Sequence, residues 1–290
     1  MKKGVILAGG KGSRLFPLTL SISKQLLPVH DKPMIYYPIS TLLELGIDQI
    51  LIITNKRDQK QFQNLLGNGR DLGIKIYYKT QDKPNGIAEG LIIAEEFIND
   101  EPFTFILGDN LFIGEINQRI EKFNYNNVQG ATIFTYKVTD PERYGVVMFD
   151  NNNKPSKIIE KPKKPLSSDA VTGIYMYDNK ATQIAKKLKP SSRNELEITD
   201  VNEYYLNNNS LRTISLYPEV TWLDAGTIDS LYEASNLIST IEKRTGKKVG
   251  CIEEIALKKK LIGIKQFTET RVKYGNSEYG VYLQKIINNY

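Results

Sequence analysis

The sequence predicts an α/β protein: a Rossmann-like, mostly parallel central sheet with helices on both faces, an inserted antiparallel sheet and a small C-terminal helical segment. Three observations carry this. In the first half, short β-branched runs alternate with segments of helical period, the mark of a parallel sheet covered on both sides. From Gly130 the pattern changes to strands joined by tight turns, and from Cys251 to Tyr290 it is helical alone.

Gly4 to Ala8 is a short apolar run that empties into Gly9-Gly10-Lys11-Gly12-Ser13-Arg14-Leu15, and so reads as a buried strand opening into a phosphate cradle. Gly9, Gly10 and Gly12 lack the Cβ atoms that would keep a polyanion away, so successive N–H groups can converge on one oxygen cluster. Arg14 and Lys24 add fixed positive charge, one as a fork and one as a point. Two familiar phosphate loops are excluded. A Walker loop fails because Val5 stands where its first glycine belongs and Lys11 is followed by Gly12; a dinucleotide fingerprint fails at Leu15.

Pro33 to Leu45 has apolar residues near helical period and stops at Gly46, whereas Gln49 to Thr54 is a β-branched run suited to a strand buried on both faces. A helix is expected over Gln59 to Leu66, a strand over Ile74 to Lys79, a helix over about Ile87 to Phe97 and a strand over Phe103 to Leu107. Gln81 falls in a loop at a strand's C-terminal end, where open α/β sheets bind ligands, and offers a donor and an acceptor to the edge of a pyrimidine. Asp109 follows the next strand into the same crevice. With polyphosphate expected there, Mg²⁺ is its natural partner, since that ion takes few carboxylates and completes its octahedron with phosphate and water. A turn Asp capping its own backbone is an equally open reading of the local sequence.

Strands over Ala131 to Val138, Gly145 to Asp150, Lys157 to Lys161 and Ala170 to Tyr177 are expected to wall the crevice on a second side. Gly145 lets backbone approach a ligand. Glu160 beside Lys161 could grip sugar hydroxyls and a phosphate, or form an ordinary surface ion pair. Helices are expected over Asn179 to Leu188 and Glu197 to Leu206, strands over Leu211 to Leu216 and Val220 to Leu223, and a long helix over Ile228 to Arg244. Asp224 repeats the arrangement of Asp109, an apolar strand, a carboxylate and then glycine within two residues, so the two could hold one metal.

The bulk numbers exclude several classes. A net charge of +6 is spread without any block of five like charges, which argues against a nucleic-acid-binding tail. No apolar stretch approaches a membrane span, and the run behind Met1-Lys2-Lys3 is too short for a signal sequence, so a cytoplasmic protein with no membrane partner is expected. A lone cysteine, Cys251, forbids an internal disulfide or a multi-cysteine metal cluster. The single histidine, His30, reads as a satisfied loop residue, which leaves the chemistry to carboxylates, Lys, Arg and a metal.

Assembled, these stretches resemble the glucose-1-phosphate thymidylyltransferases, sugar nucleotidyltransferases that open the dTDP-rhamnose pathway. The resemblance spans nearly the whole chain. It rests on Leu7 to Leu15, Ser23-Lys24-Gln25-Leu26-Leu27-Pro28, Asp31 to Pro38, Leu107-Gly108-Asp109-Asn110, Pro141 to Val147, Glu160-Lys161-Pro162, Ala170 to Gly173 and Trp222-Leu223-Asp224. It implies that dTTP, or UTP as the close rival, and glucose 1-phosphate share one crevice and yield a nucleotide sugar and pyrophosphate with Mg²⁺. By matched position, the nucleotide would meet Leu7, Gly9, Gly10, Gly12, Ser13, Gln25, Gln81 and Gly86, and Arg14 would hold the leaving pyrophosphate. Lys24 would act at the α-phosphoryl group and Asp109 with Asp224 on the metal. The sugar phosphate would meet Gly145, Glu160, Lys161 and Val171, with Lys161 on its phosphate. The implied organisation is a catalytic domain over 1–245, mainly nucleotide-binding over 1–130 and mainly sugar-phosphate-binding over 131–227, followed by a helical segment over 246–290. A homotetramer is implied as well. The chain departs from the family's end-product-regulated bacterial members at Phe112-Ile113-Gly114 and Tyr217-Pro218-Glu219-Val220. A catalytically silent sugar-nucleotide sensor is the alternative from another class, and it would have no need of both aspartates.

Overall fold

The computed structural model of the chain describes residues 2–114, 116–120 and 129–290. The portion expected over 1–130 therefore includes positions that lie outside the described residues. The chain begins with β1 (Lys3–Ala8), followed by the glycine loop and three short 3₁₀ turns. A two-residue hairpin, β2 (Pro28–Val29) with β3 (Lys32–Pro33), precedes α1 (Tyr36–Glu44). The helix expected from Pro33 starts later because Lys32 and Pro33 are already paired as strand. Next come β4 (Gln49–Thr54), α2 (Gln59–Leu66), β5 (Lys75–Thr80), α3 (Glu89–Ile98), β6 (Phe103–Leu107), β7 (Asn110–Ile113) and α4 (Ile116–Ile120).

The second half adds β8 (Ala131–Lys137), β9 (Gly145–Phe149), β10 (Pro155–Glu160), β11 (Asp169–Tyr177), α5 (Ala181–Ala185), α6 (Ile198–Asn207), β12 (Leu211–Ser215) and β13 (Thr221–Asp224). It continues through α7 (Ile228–Thr245), α8 (Ile252–Lys258), α9 (Ile264–Arg271) and α10 (Glu278–Asn288).

Among the described residues one nine-stranded sheet dominates, with the order β10-β9-β11-β6-β1-β4-β5 and with β8 and β12 branching from β11. β1, β4, β5 and β6 are parallel, and β11 joins β6 antiparallel. The antiparallel strands thus continue the parallel sheet rather than standing apart from it. Alternation explains why both faces are covered: Val5, Leu51 and Phe105 point into a layer with α3, α5 and α6, while Ile6, Ile52 and Ile106 point into one with α1, α2 and α8. Each such residue is essentially inaccessible to water, and its burial is worth roughly 1.5–3 kcal/mol. Cys251, Ile252, Phe267 and Leu283 of the last three helices and the turn before them enter the same layer as α1.

A separate two-stranded sheet positions the site. β7 and β13 pair antiparallel, with Asn110 opposite Asp224, and the Ala225 N–H donates to the Asp109 carbonyl at 3.1 Å. β7 was not expected from the sequence, yet it brings the two aspartates side by side. α7 begins directly after them, with a capping box in which Thr227 and Ser230 exchange side-chain and backbone hydrogen bonds.

Candidate active site

The C-terminal ends of β1 and β6 and the inner faces of β9, β10 and β11 surround a cavity of about 250 Å³. Leu7, Gly10, Arg14, Gln25 and Asp109 line one side; Gly145, Glu160, Lys161, Val171 and Asp224 complete it. Residues scattered from the first strand to the last are therefore brought to one place. Lys24 is buried beside this group, and its ammonium donates to Asp109 Oδ2.

Gly9, Gly12, Ser13, Gln81 and Gly86, also predicted for the site, do not line this cavity. Gly12 sits at φ +63°, and a Cβ there would meet Lys24 Cβ at 3.3 Å, so this glycine sets the turn and lets Lys24 close beneath it. A Cβ on Gly9 would press on Gln81 Oε1 at 2.6 Å. The buried Gln81 amide donates through Nε2 to Glu89 Oε2 at 2.6 Å and to the Gly86 carbonyl at 3.3 Å. Its donor end is thus committed and its Oε1 remains as acceptor. At Gly86, φ is +113° and the space a side chain would need is filled by the Leu196 backbone, which pairs with Asn85 and Ala88. Ser13 opens the first 3₁₀ turn and is exposed.

The two aspartates have opposite electrostatics. Burial raises Asp109, but the charge and hydrogen bond of Lys24, with help from Asn110, outweigh it and hold the carboxyl below its ordinary value. Asp224 is pushed up by burial and then by Asp109, against the opposing charges of Lys24, Arg14 and Arg143.

Residues 3–241 match the nucleotidyl transferase family. The chain is 48% identical over 286 residues to a protein of Neisseria gonorrhoeae named glucose-1-phosphate thymidylyltransferase, covering 98% of this chain and 99% of that one. It is 45% identical over 287 residues to one of the same name from Mycolicibacterium smegmatis, covering 99% of each. The chain belongs to the glucose-1-phosphate thymidylyltransferase family. A crystal structure from Bacillus anthracis, described under the same name and in complex with sucrose, is 45% identical with a TM-score of 0.76, covering 82% of this chain and 95% of that one. A UDP-glucose pyrophosphorylase with UDP-glucose shares the fold at a TM-score of 0.72, covering 83% of this chain and 99% of that one.

Sequence reasoning gave no role to several groups that this family member places at the cavity. Arg143 Nη2 is buried without a hydrogen-bond partner, 3.7 Å from Asp224 Oδ2, while Nη1 donates to Asp140 at 2.7 Å. A buried guanidinium nitrogen that makes no hydrogen bond and faces a cavity is the equipment for an anionic ligand. Arg193 Nη2 donates to Glu160 Oε1 at 3.1 Å and Thr199 Oγ1 to Glu160 Oε2 at 2.6 Å, so Glu160 is clamped from both sides. Arg193 sits in the loop before α6, where no local pattern marks it. His30 lies away from the cavity, its Nε2 3.6 Å from Glu242, in a cluster with Asp31, Lys32 and Lys248.

A divalent cation suits the Asp109 and Asp224 donor set. Both offer hard carboxylate oxygens, and the repulsion that raises Asp224 is what a cation between them would relieve. A Cβ on Gly226 would stand 3.0 Å from Asp224 Oδ1 and 3.1 Å from Arg14 Nη2, so the glycine lets anion and cation converge there.

Proposed function

We propose that the chain joins dTTP and α-D-glucose 1-phosphate to give dTDP-glucose and pyrophosphate, as the first step of dTDP-L-rhamnose or related deoxysugar synthesis. The observation that carries this is one cavity lined by Arg14, Asp109 and Asp224 together with Gly145, Glu160, Lys161 and Val171, with Lys24 paired to Asp109 beside it. A phosphate oxygen of the sugar phosphate attacks the α-phosphorus as the bond to the β-phosphate oxygen breaks, and pyrophosphate leaves with that electron pair. The nucleophile is already ionised at neutral pH. No general base is needed, which suits a cavity without histidine.

The chain's task is alignment and charge neutralisation. Lys24 stabilises charge at the reacting phosphoryl group, and Arg14 receives the leaving pyrophosphate above the glycine loop. Glu160 takes sugar hydroxyls; Lys161 and Arg143 Nη2, which makes no hydrogen bond within the chain, take the sugar phosphate. Asp109 and Asp224 would hold Mg²⁺, which supplies positive charge to the triphosphate when bound. Gln25 and Gln81 face the base. With Nε2 of Gln81 engaged by Glu89, its Oε1 suits the N3–H of thymine or uracil and not the bare N3 of cytosine. The names of relatives at 45% and 48% identity favour dTTP over UTP. The working form in this reading is a cytoplasmic homotetramer, which sedimentation would test.

Pyrophosphate release from glucose 1-phosphate with dTTP, UTP, ATP, CTP and GTP, with and without Mg²⁺, is the direct test. Release with dTTP that depends on Mg²⁺ is expected. No release with any nucleotide would leave the sensor reading in its place.

A further inference from the structure

Asn110 is committed at both ends of its amide. Oδ1 accepts from Trp222 Nε1 at 2.6 Å and from the Gly173 N–H at 3.0 Å. An amide oxygen has two lone pairs, so this one is saturated, and a flipped amide would set its NH₂ against two buried donors. Nδ2 is therefore turned to Asp109 and donates to Oδ1 at 3.0 Å, while Lys24 occupies Oδ2. The register adds a second constraint. Asn110 lies opposite Asp224 on β13, and Trp222 is two residues earlier on that strand. One buried side chain thus ties β7, β11 and β13 together beside both carboxylates. Gly173 belongs to the same arrangement, because a Cβ there would stand 2.5 Å from Asn110 Cγ and displace the amide.

We propose that Asn110 is the positioning residue of the metal site: its amide, oriented by Trp222 and Gly173, holds Asp109 so that Lys24 takes Oδ2 and Oδ1 keeps a lone pair for a divalent cation shared with Asp224. This rests on the metal reading above. Outer-shell partners of this kind typically set metal affinity by about 10- to 100-fold.

The test is Mn²⁺ binding to the full chain, followed by electron paramagnetic resonance without nucleotide, so that only protein ligands are read. Asn110→Ala is expected to weaken Mn²⁺ binding about 10- to 100-fold. Trp222→Phe, which removes the donor to Oδ1 together with part of the ring packed on Tyr136 and Tyr144, is expected to weaken it by a smaller factor. The double variant should bind no more weakly than Asn110→Ala, because Trp222 acts through Asn110. Unchanged affinity in a folded Asn110→Ala, or factors that multiply in the double variant, would overturn the proposal. Should Asn110→Ala fail to fold, Trp222→Phe decides alone: unchanged Mn²⁺ affinity overturns it, and weakened affinity with an unaltered far-ultraviolet spectrum supports it. Absence of saturable Mn²⁺ binding in the wild-type chain removes the metal reading and this proposal with it.

Discussion

Lys24 and Asp109, eighty-five residues apart, form an ion pair beside the cavity, with the lysine side chain 7% exposed and the aspartate 20%. A lysine held this way is already oriented before any substrate arrives. Lys24→Ala is expected to lower turnover at least about a hundredfold, on the order of 3 kcal/mol in the barrier, with the fold intact. Turnover from pyrophosphate release and the circular dichroism spectrum check this together; near-normal turnover removes Lys24 from the mechanism.

Glu160 is clamped by Arg193 and Thr199. Thr199→Val removes a hydrogen bond to a charged group, a loss of about 1.5–3 kcal/mol, so KM for glucose 1-phosphate should rise by about tenfold or more. KM for dTTP should stay within about twofold, and steady-state kinetics with each substrate varied in turn would separate the two.

Glu89 fixes the amide of Gln81. Glu89→Ala frees that amide to present either end, and the preference for UTP over CTP in kcat/KM should fall about tenfold. An unchanged ratio would show that Gln81 does not read the N3 position.

Asp31 supplies a pH dependence to stability. Burial raises its pKa, but hydrogen bonds and charge from Lys248 and Lys32 overcome this and leave it below its ordinary 3.8. A carboxyl depressed in the folded state stabilises the protein fully above its unfolded pKa and loses that contribution as pH falls through the folded value. Asp31→Asn should therefore cost about 1 kcal/mol at neutral pH, and the difference from wild type should shrink towards about pH 3. Urea unfolding at the two pH values measures it.

The capping box of α7 gives a purely structural expectation. Thr227→Ala leaves the Ser230 N–H without its partner and should lower stability by about 1 kcal/mol, seen as a lower Tm.

The parallel core was legible because β1, β4 and β6 carry apolar runs, with segments of helical period between the strands. Gln49–Thr54 and Phe103–Leu107 were read to the residue for that reason. β2 and β3 were not, since two-residue strands containing Pro28 and Pro33 carry no period. β7 was missed because its partner, β13, lies in the last third of the chain, and pairing across that distance leaves no local trace. The same holds for Arg143, Arg193 and Asn110. Their roles depend on which carboxylate the fold sets beside them.

The backbone pairing around Gly86 has a mechanical consequence. The Leu196 N–H donates to the Asn85 carbonyl at 2.7 Å and the Ala88 N–H to the Leu196 carbonyl at 3.0 Å, which staples the turn beside Gln81 to the segment that carries Arg193 and Thr199. One strap thus runs from the proposed base pocket to the residues that clamp Glu160. Both hydrogen bonds are made by backbone groups, so side-chain substitutions along the strap leave the spacing between Gln81 and the Glu160 clamp in place.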